Sequence, residues 1–205
     1  EIQFGNIKRP THENYPTDKS QFEVSNHKWT DLSDNRFGAA ILNDCKYGIS
    51  VSGSDMRLTL HKAGCHPDPG GDRGRHTATY SLLVHNCGFS TDAVIRPAYE
   101  LNYPVICVEG ENTVLCSGEP MFTVSAENVI IETVKYAEDG NGFVLRLYET
   151  EGSHACCRLM AGFDIAGMAE TDMLEYEDKA LETNGNAVCL DFKPFEIKTV
   201  RCVKK

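Results

Sequence analysis

The sequence predicts an all-β protein made of antiparallel sheets packed as β-sandwiches. Two observations lead to this prediction: apolar and polar residues alternate over several short stretches, and turn-forming residues separate those stretches. Residues 56–60 and 78–84 show the alternation, while residues 53–55 and 139–142 have the composition of hairpin turns. Short strands joined by such turns at near-regular spacing are typical of antiparallel β-sandwiches.

The first half of the chain contains the best-patterned strands. Residues 36–85 are expected to form four strands separated by turns, and residues 22–24 form a shorter strand before them. Residues 31–35 are polar and are expected to turn, and residues 86–96 are expected to be a loop. Residues 105–108, with two valines and an isoleucine, are predicted to form one more strand.

A domain junction is predicted at residues 117–120, where turn-forming residues coincide with the start of the more acidic part of the chain. This divides the chain into domains 1–117 and 118–205. In the second domain, the composition of residues 168–181 suits a helix, but their irregular apolar spacing leaves helix and strand both open. The strands predicted in this domain are residues 122–124, 129–137, 143–148, 188–192 and 197–203.

The composition excludes some classes of partner. The 205 residues carry a net charge of −10, and binding to a polyanion depends on phosphate neutralisation by Lys and Arg, so nucleic acid is not an expected partner. No apolar run is long enough to span a membrane, and no signal peptide pattern opens the chain. Because Glu1 and the residues after it read as the interior of something larger, we expect a piece of a longer protein.

Cysteine usage indicates the compartment. The chain has nine cysteines, an odd number, and none are spaced as C-x-x-C. This favours reduced thiols that act as small apolar core residues in a cytoplasmic protein. A disulfide framework is the alternative.

The loop at residues 66–76 is the first place to look for a function. It contains two prolines and three glycines between two well-patterned strands, and long polar loops of this kind commonly carry binding residues. Arg73 offers several hydrogen-bond donors to hydroxyls or to a carboxylate, and Asp72 can accept from hydroxyls or hold the arginine. A solvated turn with a weak local salt bridge is the alternative.

Two other constellations are candidates for a site. Imidazole and thiolate groups bind zinc, but the loose spacing of the candidates favours hydrogen-bonded histidines over a metal site. These candidates are His61, Cys65, His66, His76 and His85. Aromatic side chains could form a sugar-stacking platform, although core packing is the favoured interpretation. Those side chains are Trp29, Tyr80, Tyr99 and Tyr103.

Motifs over much of the chain resemble one family. They begin with Asn43-Asp44-Cys45-Lys46-Tyr47-Gly48 and Met56-Arg57-Leu58-Thr59-Leu60, continue through Gly74-Arg75-His76-x-x-x-Tyr80-x-Leu82-x-x-His85 and Ala98-Tyr99-Glu100-Leu101-Asn102-Tyr103-Pro104, and extend into residues 127–135, 146–149 and 170–175. This series resembles the C-terminal β-region of family 38 glycoside hydrolases, the α-mannosidases. Ala78 and Val84 depart from the family, which usually has an aromatic residue and a proline there.

The resemblance implies a fold and a role. It implies the end of a large β-sandwich over residues 1–117, and a small terminal β-sandwich after it, with strand and turn up to Glu175. The parent would be a zinc-dependent retaining α-mannosidase of mannose metabolism. Such an enzyme works by double displacement at mannose C1, with an aspartate nucleophile, an acid/base carboxylate, and zinc on the 2- and 3-hydroxyls of the sugar.

The resemblance also assigns partners and site residues. The family's nucleophile and zinc ligands lie on an N-terminal catalytic domain, so this chain is expected to hold no catalytic residue and no metal, and to be inactive alone. That catalytic domain and α-mannoside glycans are the expected partners. The family's corresponding loop leans toward the mannose cleft, which makes Asp72, Arg73 and His76 the predicted substrate-binding residues. A stand-alone carbohydrate-binding module or a structural interaction domain is the alternative.

Overall fold

The computed structural model describes residues 1–86, 88–109, 120–176 and 178–205. The chain divides into two compact units, Glu1–Val105 and Ile106–Lys205. Both are built mainly from antiparallel strands, which confirms the predicted all-β fold. The predicted boundary between residues 117 and 118 lies outside the described residues, so the division into domains 1–117 and 118–205 stays a prediction.

The first unit contains two three-stranded antiparallel sheets. Its strands are β1 Val24–Ser25, β2 Trp29–Ser33, β3 Phe37–Asn43, β4 Gly48–Ser52, β5 Asp55–Thr59 and β6 Tyr80–Asn86. One sheet has the order β1-β4-β5 and the other β2-β3-β6. The four strands predicted within residues 36–85 are confirmed as β3 to β6.

Strand β2 corrects the prediction that residues 31–35 form a turn. Asp31, Leu32 and Ser33 continue the strand and pair with β3. The buried carboxylate of Asp31 is tolerated because its Oδ1 lies 2.8 Å from His85 Nε2, and its Oδ2 accepts a hydrogen bond from Ser33 Oγ at 2.6 Å. His85 is 54 positions away in the chain, so local composition could not indicate this partner.

The predicted loop at residues 86–96 is partly helical. A π-helical turn, Thr91–Ile95, runs directly into helix α2, Arg96–Asn102, after a short helix α1, Pro16–Ser20, earlier in the chain. Ser90 Oγ accepts a hydrogen bond from Ala93 N at 3.2 Å and so caps the turn. Buried residues on both parts hold it to the core of the unit. No helix in the described part of the chain has the length and apolar character needed to cross a membrane.

Residues 105–108 do not form the predicted strand. Val105, Ile106 and Val108 are among the most exposed apolar residues of the described chain. A β-branched segment becomes a strand when a neighbouring strand satisfies its backbone groups, and no described strand pairs with this segment.

The second unit is a β-sandwich. Its strands are β7 Phe122–Val124, β8 Val129–Tyr136, β9 Phe143–Glu149, β10 Ala155–Ala161, β11 Ile165–Thr171, β12 Asp178–Ala180, β13 Thr183–Asn184, β14 Ala187–Phe192 and β15 Ile197–Lys204. They form a four-stranded sheet, β13-β14-β10-β7, and a five-stranded sheet, β12-β11-β15-β9-β8. The five strands predicted in this part are confirmed, and residues 168–181, left open between helix and strand, contain the end of β11 and all of β12.

The core of the sandwich consists of the inward residues of both sheets. Its fully or nearly inaccessible members include Val129, Leu145, Leu147, Cys157, Leu159, Val188, Leu190, Phe192, Val200 and Cys202. Most of them occupy alternate strand positions, the spacing that places side chains on one face of a strand. Burial of this apolar surface is the main stabilising contribution to the unit.

One buried carboxylate joins the ends of several strands. Glu149, at the end of β9, has no accessible surface and accepts six hydrogen bonds. Its donors come from Asn128, from the turn at residues 151–153, and from Phe195 N at 2.9 Å. Burial alone would raise the pKa of Glu149, but these hydrogen bonds outweigh it and hold the pKa below its ordinary value.

The cysteines only partly match their predicted role in the core. Seven are described, and all are free thiols. Cys157 and Cys202 are buried, and burial raises the pKa of the Cys202 thiol to about 11. The other five are exposed, so they are not the core residues that the sequence predicted: Cys45, Cys65, Cys107, Cys156 and Cys189.

Candidate functional site

The loop between β5 and β6 forms one wall of a groove in the first unit. The groove has a volume of about 450 Å³ and lies between this loop, the end of the β4–β5 hairpin and the segment before β4. Its lining side chains include Glu23, Tyr47, His61, Lys62, Asp72 and His76. The lining therefore combines charged, imidazole and aromatic groups, which are the groups that bind polyhydroxylated ligands.

Local hydrogen bonds give the loop its shape. Asp68 Oδ1 accepts a hydrogen bond from Gly70 N at 2.8 Å, and the Asp68 carbonyl accepts from Gly71 N at 3.2 Å. Asp72 has a left-handed backbone conformation, with φ of 57°, and its carbonyl oxygen lies 2.7 Å from His76 Nε2. Because a carbonyl can only accept, this contact places the proton of a neutral His76 on Nε2.

A pair of imidazoles connects the loop to the hairpin. The ring centroids of His61 and His76 lie 4.6 Å apart, at an interplanar angle of 59°. His61 follows β5 directly, so this contact seats the loop on the end of the hairpin. The loop is thus held at both its Asp68 turn and its His76 end.

An ion pair occupies the hairpin side of the groove. Thr59 Oγ1 donates a short hydrogen bond to Glu23 Oε1, and Lys62 Nζ lies 3.0 Å from Glu23 Oε2. The hydrogen bond from Thr59, followed by the hydrogen bond and charge of Lys62, lowers the pKa of Glu23. Glu23 is therefore an anion at neutral pH whose two oxygens are both already engaged.

The structure brings together two of the three predicted substrate-binding residues. Asp72 and His76 both line the groove. Arg73 is exposed in the same loop, its backbone N donating to the Gly70 carbonyl at 3.3 Å, but its side chain is not part of the groove lining. Sequence reasoning missed Glu23, Lys62 and Tyr47, which lie on other segments and carry no local signal of a shared site.

The other two constellations do not assemble. Within the described residues, no group of three or more His, Cys, Asp or Glu side chains is placed to hold a metal ion. His85 is buried against Asp31, away from solvent. The aromatic set is divided as well, because Trp29 is buried against Phe89 while Tyr80 and Tyr103 are exposed, so the favoured core interpretation holds for Trp29 and is wrong for those two tyrosines.

Comparison with known proteins identifies the family. The family model "Glycosyl hydrolases family 38 C-terminal domain" matches residues 1–70, and "Glycosyl hydrolases family 38 C-terminal beta sandwich domain" matches residues 128–200. Among solved structures, an alpha-mannosidase from Enterococcus faecalis V583 has a TM-score of 0.75 at 19% identity, over 97% of this chain and 23% of that one. At that identity the likeness shows a shared fold.

Curated relatives match nearly the whole chain. Human Alpha-mannosidase 2C1 is 42% identical over 208 residues, 99% of this chain and 20% of the relative. Alpha-mannosidase G of Dictyostelium discoideum is 35% identical over 99% of this chain and 19% of the relative, and a Saccharomyces cerevisiae alpha-mannosidase is 33% identical over 98% and 20%. The chain thus spans about a fifth of the length of these relatives. It belongs to glycoside hydrolase family 38 and corresponds to the C-terminal β-region of the family's α-mannosidases.

Proposed function

We propose that this chain is the non-catalytic C-terminal β-region of a zinc-dependent retaining α-mannosidase that hydrolyses terminal α-mannosides. In this role it braces the catalytic domain and contributes the groove loop to one side of the substrate cleft. The observation that supports the proposal best is the match of nearly the whole chain to about one fifth of proteins named alpha-mannosidases.

The chemistry of the groove supports a binding role. Retaining glycosidases use two carboxyl groups about 5 Å apart, one of which must be an acid with a raised pKa. The groove has two carboxyl groups, those of Glu23 and Asp72. Glu23 is held as an anion by Thr59 and Lys62, and its pKa is shifted in the direction opposite to that of a general acid. The groove therefore suits recognition of hydroxyls better than proton transfer.

The zinc ion of the proposed parent enzyme would be held elsewhere. The described residues of this chain do not fit it, since none of their His, Cys, Asp and Glu side chains form a suitable cluster. When bound, zinc supplies Lewis-acid polarisation of substrate oxygens. No step of the reaction is assigned to residues of this chain.

The groove residues support a positioning role toward α-mannoside glycans. The Asp72 carboxylate and the His76 ring offer an acceptor and a polar ring edge, and Tyr47 offers an aromatic face at the same groove. Arg73, exposed in the same loop, is free of the groove wall and suits a bidentate contact with a sugar or with a carboxylate of the catalytic domain.

The free thiols support a cytoplasmic location. All seven described cysteines are unpaired, and five of them are exposed. Exposed thiols persist where the cell keeps cysteines reduced, as it does in the cytosol. We propose that the enzyme acts in cytoplasmic mannose metabolism.

Hydrolysis of an aryl α-mannoside tests this function directly. The chain alone and a longer polypeptide that adds the rest of the α-mannosidase are assayed with and without a metal chelator. We expect hydrolysis by the longer protein, its loss on chelation, its return with zinc, and none from the chain alone. Hydrolysis by the chain alone would contradict the non-catalytic role, and a longer protein without mannosidase activity would refute the enzyme assignment.

A further inference from the structure

One face of the sheet β2-β3-β6 is apolar and open to solvent. Leu82 and Val84 on β6 are each 69% exposed, and Tyr80 on the same strand is 57% exposed. Leu82 pairs with Ile41 and Val84 pairs with Ala39, and Ala39 in turn pairs with Leu32 on β2. Directly paired residues share a face. We call the surface formed by Leu32, Ala39, Ile41, Tyr80, Leu82 and Val84 the β6 face.

The opposite face of the same sheet is already covered. Trp29, Ala40 and Leu42 are buried there, with the His85–Asp31 pair among them. A sheet that is apolar on both faces is typical of an internal layer, whereas a solvated antiparallel sheet has one polar face. The six positions of the β6 face include no charged residue. An apolar patch of this kind marks an interaction surface.

The edge of the sheet is open as well. In the order β2-β3-β6, strand β6 is terminal, and its outer edge pairs with no other strand in the described part of the chain. An exposed strand edge next to an apolar face invites a further strand or an apolar layer.

We propose that the β6 face is covered by the part of the α-mannosidase polypeptide that lies outside this chain's match. This inference rests on the proposed function. The occupant follows from length, because the chain spans about a fifth of relatives named alpha-mannosidases, and the other four-fifths must contact this region to form one enzyme. An uncharged apolar face fits a protein layer and offers a free sugar few hydrogen-bonding groups.

The β6 face is continuous with the candidate groove. Strand β6 begins at Tyr80, four residues after His76. Its start is pinned, because Thr79 N donates to Asp44 Oδ2 at 3.0 Å and Asp44 N donates to the Thr79 carbonyl at 3.1 Å. A layer packed on the β6 face therefore meets the fixed end of the groove loop, which places Asp72 and His76 beside the same partner.

Hydroxyl-radical footprinting of the longer α-mannosidase tests the inference. We expect loss of reactivity at Tyr80, Leu82 and Val84, while Met160, an exposed residue on β10 of the other unit, is oxidised as its exposure predicts. Oxidation of the β6 face at the rate of an exposed surface would overturn the proposal. Protection that disappears when the enzyme is diluted to a monomer would overturn it too, because a second copy would then be the occupant.

A matched pair of substitutions in the longer enzyme adds a second readout. Leu82→Lys should lower the Tm and speed proteolytic separation of this region from the rest, since a lysine would be trapped in an apolar interface. Met160→Lys should change neither. Equal, unshifted Tm values for both variants would overturn the proposal. Footprinting reads the surface whether or not the enzyme hydrolyses mannosides, so failure of the mannosidase assignment is detected separately by the aryl α-mannoside assay.

Discussion

Single polar residues decide much of the structure of this chain. Glu149 and Asp31 are both carboxylates in places that their neighbours in sequence would not suggest, and both are satisfied by hydrogen bonds from distant segments. Glu149 accepts three hydrogen bonds on each oxygen, which leaves no place for an amide. These residues connect separate strands and turns into a unique arrangement.

Replacement of Glu149 should therefore destabilise the second unit strongly. In Glu149→Gln, the side-chain NH₂ would face three donors, so we expect a loss of about 3 kcal/mol in the free energy of unfolding at pH 7. Urea denaturation monitored on the sandwich measures this loss. Glu182→Gln, at an exposed position, is the control and should be close to neutral.

The pH dependence of the same variant has a defined sign. The folded-state pKa of Glu149 is lowered, so its contribution is fully present above the unfolded pKa of roughly 4.3 and is lost as pH falls through the lower folded value. The difference in unfolding free energy between wild type and Glu149→Gln should thus shrink on acidification below that pH. A difference that stays constant down to about pH 2 would contradict this role.

At the scale of elements, close strand packing limits substitution in the sheet β2-β3-β6. Gly38 on β3 lies between Ser33 and His85, and a Cβ there would lie 2.5 Å from the His85 ring atoms Cε1 and Nε2 and would also clash with Ser33 Cβ. The absent side chain of Gly38 makes room for the imidazole that pairs with Asp31. The strand and its buried ion pair thus depend on one glycine.

Gly38→Ala should destabilise the first unit by about 2 kcal/mol, because the buried imidazole and the backbone must move to admit a methyl group. Thermal unfolding measures this as a lower Tm. Gly167→Ala is the matched control, since a Cβ at that strand position on β11 meets nothing within 4 Å. Equal Tm values for the two variants would contradict the steric role of Gly38.

At the scale of the whole molecule, the groove loop links the β-region to the proposed cleft. Arg73 is the loop residue whose side chain no described contact holds to the groove wall. In the longer enzyme, Arg73→Ala should lower kcat/KM about tenfold, the equivalent of one charge-assisted hydrogen bond, without lowering the Tm. Arg36→Ala, at an exposed turn position, should leave both unchanged. Wild-type kinetics for Arg73→Ala would exclude Arg73 from substrate positioning.

The sequence by itself determined the local strand structure and the family. Alternation and turn chemistry located nine strands correctly: β3–β6, β7–β9, β14 and β15. Those signals suffice because strand formation with one buried face leaves a period of two in the sequence. The motif series likewise indicated family 38, since a family resemblance is a property of residue order alone.

Only the tertiary structure decided where long-range partners meet. Asp31 in β2, the helix after Ser90, and the groove formed by Glu23, Lys62 and the loop all depend on residues that lie far apart in the chain. The same holds for the exposed β6 face, where alternation predicts a strand but not which of its faces another layer covers. Local periodicity reports only that a side chain points to one side, and the folded chain determines what that side contacts.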